Sequence, residues 1–245
     1  MIKLFAFDLD GTLYKGNQVI DGAIELIDYL RQDYKIAFHT NASGKSIEQI
    51  HYKLCSMGIY CDTKEIYTSS QITALYLKEN NIDDVYVIGS EEFKNEIHNV
   101  GIIVNDTFSE NLVVGLDTNF KYEKITIALN ILLNGGKFIA CNEDDRFPVE
   151  KGYMPGSGAM VGAIEKASGI KPIIIGKPNT YILQKISKDY DILNNEICVV
   201  GDTSSDRDMA LNFGSQIIMI SDNSEFPNFK NVKSILNFMK GNCEI

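Results

Sequence analysis

Short apolar, β-branched runs recur along this chain, at residues 2–7, 35–39, 65–67, 85–88, 112–116, 137–141, 172–175, 197–200 and 216–220. Between most of them lie segments with helical periodicity. Ile24, Ile27 and Leu30 share one face; Ile47, Ile50, Leu54 and Met57 share another, and Gly58 is the expected stop. Ile182 with Ile186, and Met209 with Ala210 and Phe213, mark two further helices. Strand alternating with helix builds an α/β protein of mainly parallel sheet. A parallel sheet is buried on both faces, which accounts for runs that are continuously apolar. A length of 245 residues allows one large domain or two moderate ones. With no low-complexity stretch, repeat or Pro/Gly-rich linker, a second domain is expected as an insertion.

The run D-L-D-G-T-L-Y at 8–14 directly follows the first apolar run. Side chains alternate along a strand, so Asp8 and Asp10 are expected on one side at its end. Two carboxylates held that close repel unless a cation or a shared proton intervenes. Three further pieces each follow an apolar run: Thr40-Asn41, then Gly176-Lys177-Pro178, then Gly201-Asp202 with Asp206. Singly, these read as a helix cap, a solvated lysine at a turn, and a strand-to-helix turn. Together, at strand ends along one sheet edge, they would converge where parallel α/β sheets bind ligands. The inventory suits phosphoryl transfer. An aspartate can act as nucleophile, a pocket of carboxylate oxygens selects Mg²⁺, and lysine, hydroxyl and amide donors hold phosphoryl oxygens.

A formal charge of −10 argues against general nucleic-acid binding, which needs basic surface. No apolar run approaches a membrane span, and the start of the chain lacks the layout of an export signal. The cysteines at 55, 61, 141, 198 and 243 form no C-x-x-C pair, so free thiols in the cytoplasm are expected. The histidines at 39, 51 and 98 lie far apart in sequence and form no zinc pattern.

In this order the four pieces resemble the four motifs of the haloacid dehalogenase (HAD) superfamily, in the phosphatase form D-x-D-G-T. The resemblance implies a Rossmann-like, doubly wound parallel-sheet core with an inserted smaller α/β cap domain. Few residues separate Gly11 from Asp21, whereas a long segment separates Asn41 from Lys177. The insertion is therefore expected at 80–171, and the core at 1–79 plus 172–245. The cap's I-A-C-N-E-D at 139–144 and P-G-S-G-A-M-V-G-A-I at 155–164 resemble the NagD-like class IIA branch, as does Y-T-S-S at 67–70.

The same resemblance implies a role for each residue of the four motifs. Asp8 attacks phosphorus and becomes an aspartyl-phosphate. Asp10 serves as acid and then base. Mg²⁺ is held by Asp8, the Asp10 carbonyl and Asp202. Asp206 supports the metal or Lys177, with Asp208 as the alternative acid. Thr40, Asn41 and Lys177 grip the phosphate. The implied substrate is a small phosphorylated metabolite such as a nucleotide or sugar phosphate, with Asn142, Asp144 and Arg146 as cap contacts. A homodimer joined through the cap is implied as well. The chain departs from the family at Ala42, where a second Asn is common, in the shorter spacing of the motif-four acids, and at 143–151. The competing reading is a phospho-accepting or ligand-binding regulator. Receiver domains use similar residues, but they are shorter and place the accepting aspartate mid-chain.

Overall fold

The computed structural model describes residues 1–149, 151–220 and 228–241. In chain order the elements begin β1 (Leu4–Asp8), β2 (Tyr14–Lys15), β3 (Gln18–Val19), α1 (Ala23–Leu30), β4 (Lys35–Thr40), α2 (Ile47–Ser56), β5 (Ile66–Thr68) and α3 (Ser69–Glu79). They continue β6 (Asp84–Ile88), α4 (Glu91–Asn99), β7 (Ile103–Asn105), β8 (Asn111–Val114), α5 (Tyr122–Leu133), β9 (Lys137–Ala140), β10 (Arg146–Pro148), β11 (Tyr153–Pro155) and α6 (Ser157–Ser168). The last are β12 (Ile173–Ile174), α7 (Tyr181–Tyr190), β13 (Ile197–Gly201), α8 (Ser204–Phe213), β14 (Gln216–Ile220), β15 (Asn228–Phe229) and α9 (Val232–Met239). Among the described residues no helix is long and apolar enough to cross a membrane.

The chain divides into two compact units. The first comprises Met1–Thr40, Ile47–Tyr67 and Lys177–Ile245. Its sheet runs β15-β14-β13-β1-β4-β5. β1 is parallel to β13 on one side and to β4 on the other, with Asp8 opposite His39. β14 and β15 extend the parallel ladder beyond β13. The winding thus steps outward through β4 and β5, then resumes on the other side of β1. A reversal of this kind opens a crevice beyond the carboxyl ends of the strands, and Asp8 is the last residue of β1.

Every residue of β1 and of β13 is buried. One core of this unit joins Phe5, Phe7, Ile36 and Phe38 of the sheet to Leu26, Ile27 and Leu30 of α1 and Val232, Ile235 and Leu236 of α9. Of the α1 face, Ile27 and Leu30 were expected; Leu26 was not, and the expected Ile24 is only partly buried. The periodicity of α9 was not expected, although it packs on α1 and its cap residue Asn231 accepts a hydrogen bond from the Ser234 amide at 2.9 Å.

The second unit comprises Asn41–Ser46 and Thr68–Gly176. Its sheet runs β12-β9-β8-β6-β7, with every neighbouring pair parallel. Tyr86, Ile88, Leu112, Val114 and Phe138 pack there with Ile131, Leu132, Met160 and Ile164 from α5 and α6. β10 and β11 form a separate antiparallel hairpin.

Both expected domain boundaries fall inside this unit. α3 joins it by packing on α4, and β12 joins it by pairing with β9. The run at 172–175 was expected to deliver Lys177 from the core sheet. It belongs instead to the five-stranded sheet, because its short β12 finds its ladder partner at Ile139 and Ala140.

Candidate active site

The carboxyl end of β1 carries a buried ion cluster. Lys177 Nζ donates to Asp8 Oδ1 at 2.5 Å and to Asp206 Oδ1 at 2.7 Å. All three side chains are at most 5% exposed. Burial pushes the Asp8 carboxyl well above its ordinary 3.8; the Lys177 ammonium pulls it down, and Asp206 and Asp202 push it further up. Burial also opposes ionisation of Asp206, but Lys177 and the hydroxyl of Thr203 hold that carboxyl below its ordinary value. Lys177 loses hydration on burial, yet Asp206 and Asp8 together raise its proton affinity. Lys177 and Asp206 are thus the settled ion pair, and Asp8 is the group left short of positive charge.

Asp206 is fixed from a second side. Thr203, the N-cap of α8, donates its hydroxyl to Asp206 Oδ2 at 2.6 Å and its amide to the same oxygen at 3.1 Å. This is the reciprocal capping arrangement, here placing the acid as well as starting the helix. Gly201 lets Asp206 lie flat on the β13 backbone, since a Cβ at 201 would strike the Asp206 side chain. Asp208 pairs instead with its neighbour Arg207, Nε to Oδ1 at 2.8 Å. Of the two alternatives, Asp206 is the acid on Lys177.

Asp202 accepts a hydrogen bond from Thr12 Oγ1 at 3.1 Å. Its carboxylate lies against the Gly11 turn, where φ is +96° and a Cβ would collide with it. Burial and the charge of Asp206 push the Asp202 carboxyl up, against the Thr12 hydrogen bond. Asp10 is turned further outward, with its side chain 55% exposed. It accepts from Tyr14 Oη at 3.0 Å, and Lys53 Nζ lies 3.9 Å from its other oxygen and 3.7 Å from the Tyr14 ring centre. Burial, then the charge of Asp10, raises the Tyr14 phenol, which therefore stays a donor.

His39 has no expected role from the sequence, but it belongs to this cluster. A ring nitrogen lies within 4.8 Å of carboxylate oxygens of Asp8 and Asp206. The residue is fully buried, and neither ring nitrogen has a hydrogen-bond partner among the described residues. Burial, and then the Lys177 charge, lower its pKa to about 3, so the ring is neutral. Thr40, the next residue of β4, is also buried.

The remaining sequence-derived residues group within the second unit. Asn41 Nδ2 donates to Asp144 Oδ1 at 3.0 Å. Asn142 is buried; it donates to the Asn41 carbonyl at 2.7 Å and accepts from the Asp144 amide at 3.1 Å. Its amide braces the chain at Asn41 on one side and Asp144 on the other. Arg146 stands exposed on the β10–β11 hairpin, its guanidinium 5.2 Å from the Tyr153 ring centre. Thr12 stands in the D-x-D-G-T motif, where it adds a hydroxyl; Tyr14, Lys53, His39 and Thr203 are not singled out by sequence reasoning. Only Thr203 carries a signal, the three-residue offset to Asp206 typical of a cap.

The donor set fits a hard divalent cation. Asp8 and Asp206 bond to the buried Lys177 ammonium, and Asp202 is near enough for its charge to raise the Asp8 carboxyl, so the acids offer hard oxygen ligands.

The chain is similar to known proteins along most of its length. Residues 5–103 match the haloacid dehalogenase-like hydrolase family, and residues 174–226 match a HAD-hydrolase-like family. An acid sugar phosphatase of Staphylococcus saprophyticus is 37% identical over 203 residues, covering 82% of this chain and 78% of the relative. A glycerol phosphate phosphatase of Mycobacterium tuberculosis, solved with magnesium, is 25% identical with a TM-score of 0.87, over 96% of this chain and 76% of its own. NagD of Escherichia coli, 24% identical, shares the fold at a TM-score of 0.87 over 95% of this chain and 97% of its own. The chain belongs to the haloacid dehalogenase-like hydrolases, as a phosphatase of their NagD-like class IIA branch.

Proposed function

We propose that this chain hydrolyses small sugar or polyol phosphates through an aspartyl-phosphate on Asp8, with Mg²⁺ as its cofactor. The observation that carries the reading is the buried Asp8–Lys177–Asp206 cluster at the sheet's point of reversal. Asp8 Oδ attacks phosphorus, and the bond from phosphorus to the leaving oxygen breaks. Asp10 gives that oxygen its proton. A water molecule then attacks the phosphorus, Asp10 takes the water's proton, and inorganic phosphate departs with Asp8 restored. Lys177 offers its ammonium to the phosphoryl oxygens while Asp206 and Thr203 keep it aimed. Tyr14 orients Asp10 by holding its Oδ2. The Asp8 and Asp202 carboxylates with the Asp10 carbonyl would hold Mg²⁺, whose charge favours ionised Asp8 and screens the substrate.

The sugar-phosphate assignment rests on the named activities of the relatives. Its test is phosphate release across a panel of sugar phosphates, glycerol phosphate and an aryl phosphate, with and without Mg²⁺. Turnover is expected with Mg²⁺ and highest on a sugar or polyol phosphate. Full activity in excess chelator contradicts the metal assignment. A preference for nucleotides contradicts the substrate class.

A further inference from the structure

A second cluster of ligand-type side chains lies in the first unit, and the phosphatase chemistry makes no use of it. His51 and Cys55 sit four residues apart on α2, hence on one face. Cys61 follows the Gly58 turn that ends this helix. His51 Nε2 is 3.5 Å from Cys55 Sγ and 2.9 Å from the Cys61 carbonyl oxygen. A ring nitrogen and the two sulfurs all lie within 4.8 Å of one another. All three residues are half-buried, so the cluster is shielded yet open to solvent on one side. The chain beside it is anchored: Arg31 grips both oxygens of Glu65 at 2.7 Å and donates to the Tyr60 carbonyl at 3.1 Å.

We propose that His51, Cys55 and Cys61 form a binding site for a thiophilic divalent ion of the zinc class. With metal–sulfur bonds of about 2.3 Å and metal–nitrogen bonds of about 2.0–2.1 Å, a tetrahedral ion sets nitrogen and sulfur roughly 3.6 Å apart. The 3.5 Å between His51 Nε2 and Cys55 Sγ matches that edge. On loading, each thiol releases its proton to solvent, and His51, whose Nε2–H donates to the Cys61 carbonyl, gives up that bond and shifts to the tautomer protonated at Nδ1, so that its Nε2 lone pair faces the ion. Two thiolates then neutralise the dication, and a water molecule completes the fourth position. The ion would staple the end of α2 to the chain that leads to β5.

A Cys55–Cys61 disulfide is the competing use of these sulfurs. Burial, with Cys55 and Glu65 nearby, pushes the Cys61 thiol up to about 12. Thiolate is therefore scarce, which slows disulfide exchange, and a bound cation has to displace the same proton.

The test is cobalt titration of the reduced protein in excess Mg²⁺, which keeps the carboxylate site occupied. A thiolate-to-cobalt charge-transfer band should appear with tetrahedral d–d bands, saturate at a single equivalent, and vanish when Zn²⁺ is added. It should be lost in the Cys55→Ser, Cys61→Ser double variant. As a check that needs no variant, Zn²⁺ should protect Cys55 and Cys61 from alkylation, read by peptide mass spectrometry. Absence of the band, its persistence in the double variant, or alkylation of both cysteines at an unchanged rate in Zn²⁺ overturns the proposal. So does recovery of a Cys55–Cys61 disulfide that takes up no cobalt after reduction.

Discussion

Lys177 sits between two buried acids, and its position decides how both behave. Removing one partner of a buried ion pair leaves the other charge uncompensated, at about 3–5 kcal/mol. Lys177→Met should therefore lower the unfolding free energy by roughly that amount and abolish phosphate release. Denaturant titration beside a turnover assay checks both; wild-type stability would show that the pair adds nothing. His39 supplies a test of a different kind. Its folded pKa is lowered from 6.5 to about 3. As pH falls below 6.5 the unfolded chain binds a proton there, and the folded chain does not until about 3. The stability associated with neutral His39 is thus complete above 6.5 and is lost as pH falls toward 3. His39→Leu should flatten the acid side of the stability curve over that window. Wild-type and variant curves that run parallel would contradict the neutral, buried ring. At this scale the acids and the lysine stood out because each ends or follows an apolar run and carries obvious chemistry. His39 was not, since its place beside Asp8 depends on the β1–β4 register and on rotamers.

The helix α8 shows a local rule of secondary structure serving the site. The Thr203 hydroxyl caps the helix and also donates to Asp206. Thr203→Ala should cost about 1 kcal/mol as a lost cap, and it should also lower kcat, because Asp206 then loses a donor and holds Lys177 less firmly. Thr203→Ser restores both if the hydroxyl is what matters. A loss of stability with kcat unchanged would leave the cap purely structural. The alternation of strands and helices could be read from the apolar runs, and all the longer strands lie where those runs are. The failures share a cause. β12 reads as a buried strand wherever it goes, and only tertiary pairing with β9 assigns it to the second sheet. The β2–β3 and β10–β11 hairpins are too short to show a period. α9 spans eight residues, and its apolar face becomes evident only against α1.

The whole molecule is two units, each with its own parallel sheet and core. Phe93 in the second unit and Phe38 in the first are both fully buried. Truncating either to Ala should cost about 3–5 kcal/mol. Hydrogen exchange should quicken in α4 and β6 for Phe93→Ala, and in β1 and β4 for Phe38→Ala. Uniform quickening across the chain in both variants would contradict separate cores. An insertion between the second and third motifs was legible in the spacing from Asn41 to Lys177. Its edges were not, because α3 and β12 carry no mark of the unit they join. The catalytic claim belongs to the molecule as a whole, since Asp8, Lys177 and Asp206 come from distant parts of the chain. Rapid acid quench during turnover of a sugar phosphate with Mg²⁺, followed by peptide mapping, tests it most directly. The account predicts one phosphoryl group on Asp8, and in Asp8→Asn neither that adduct nor phosphate release. A phosphoryl group on any other residue, or turnover surviving in Asp8→Asn, would contradict it.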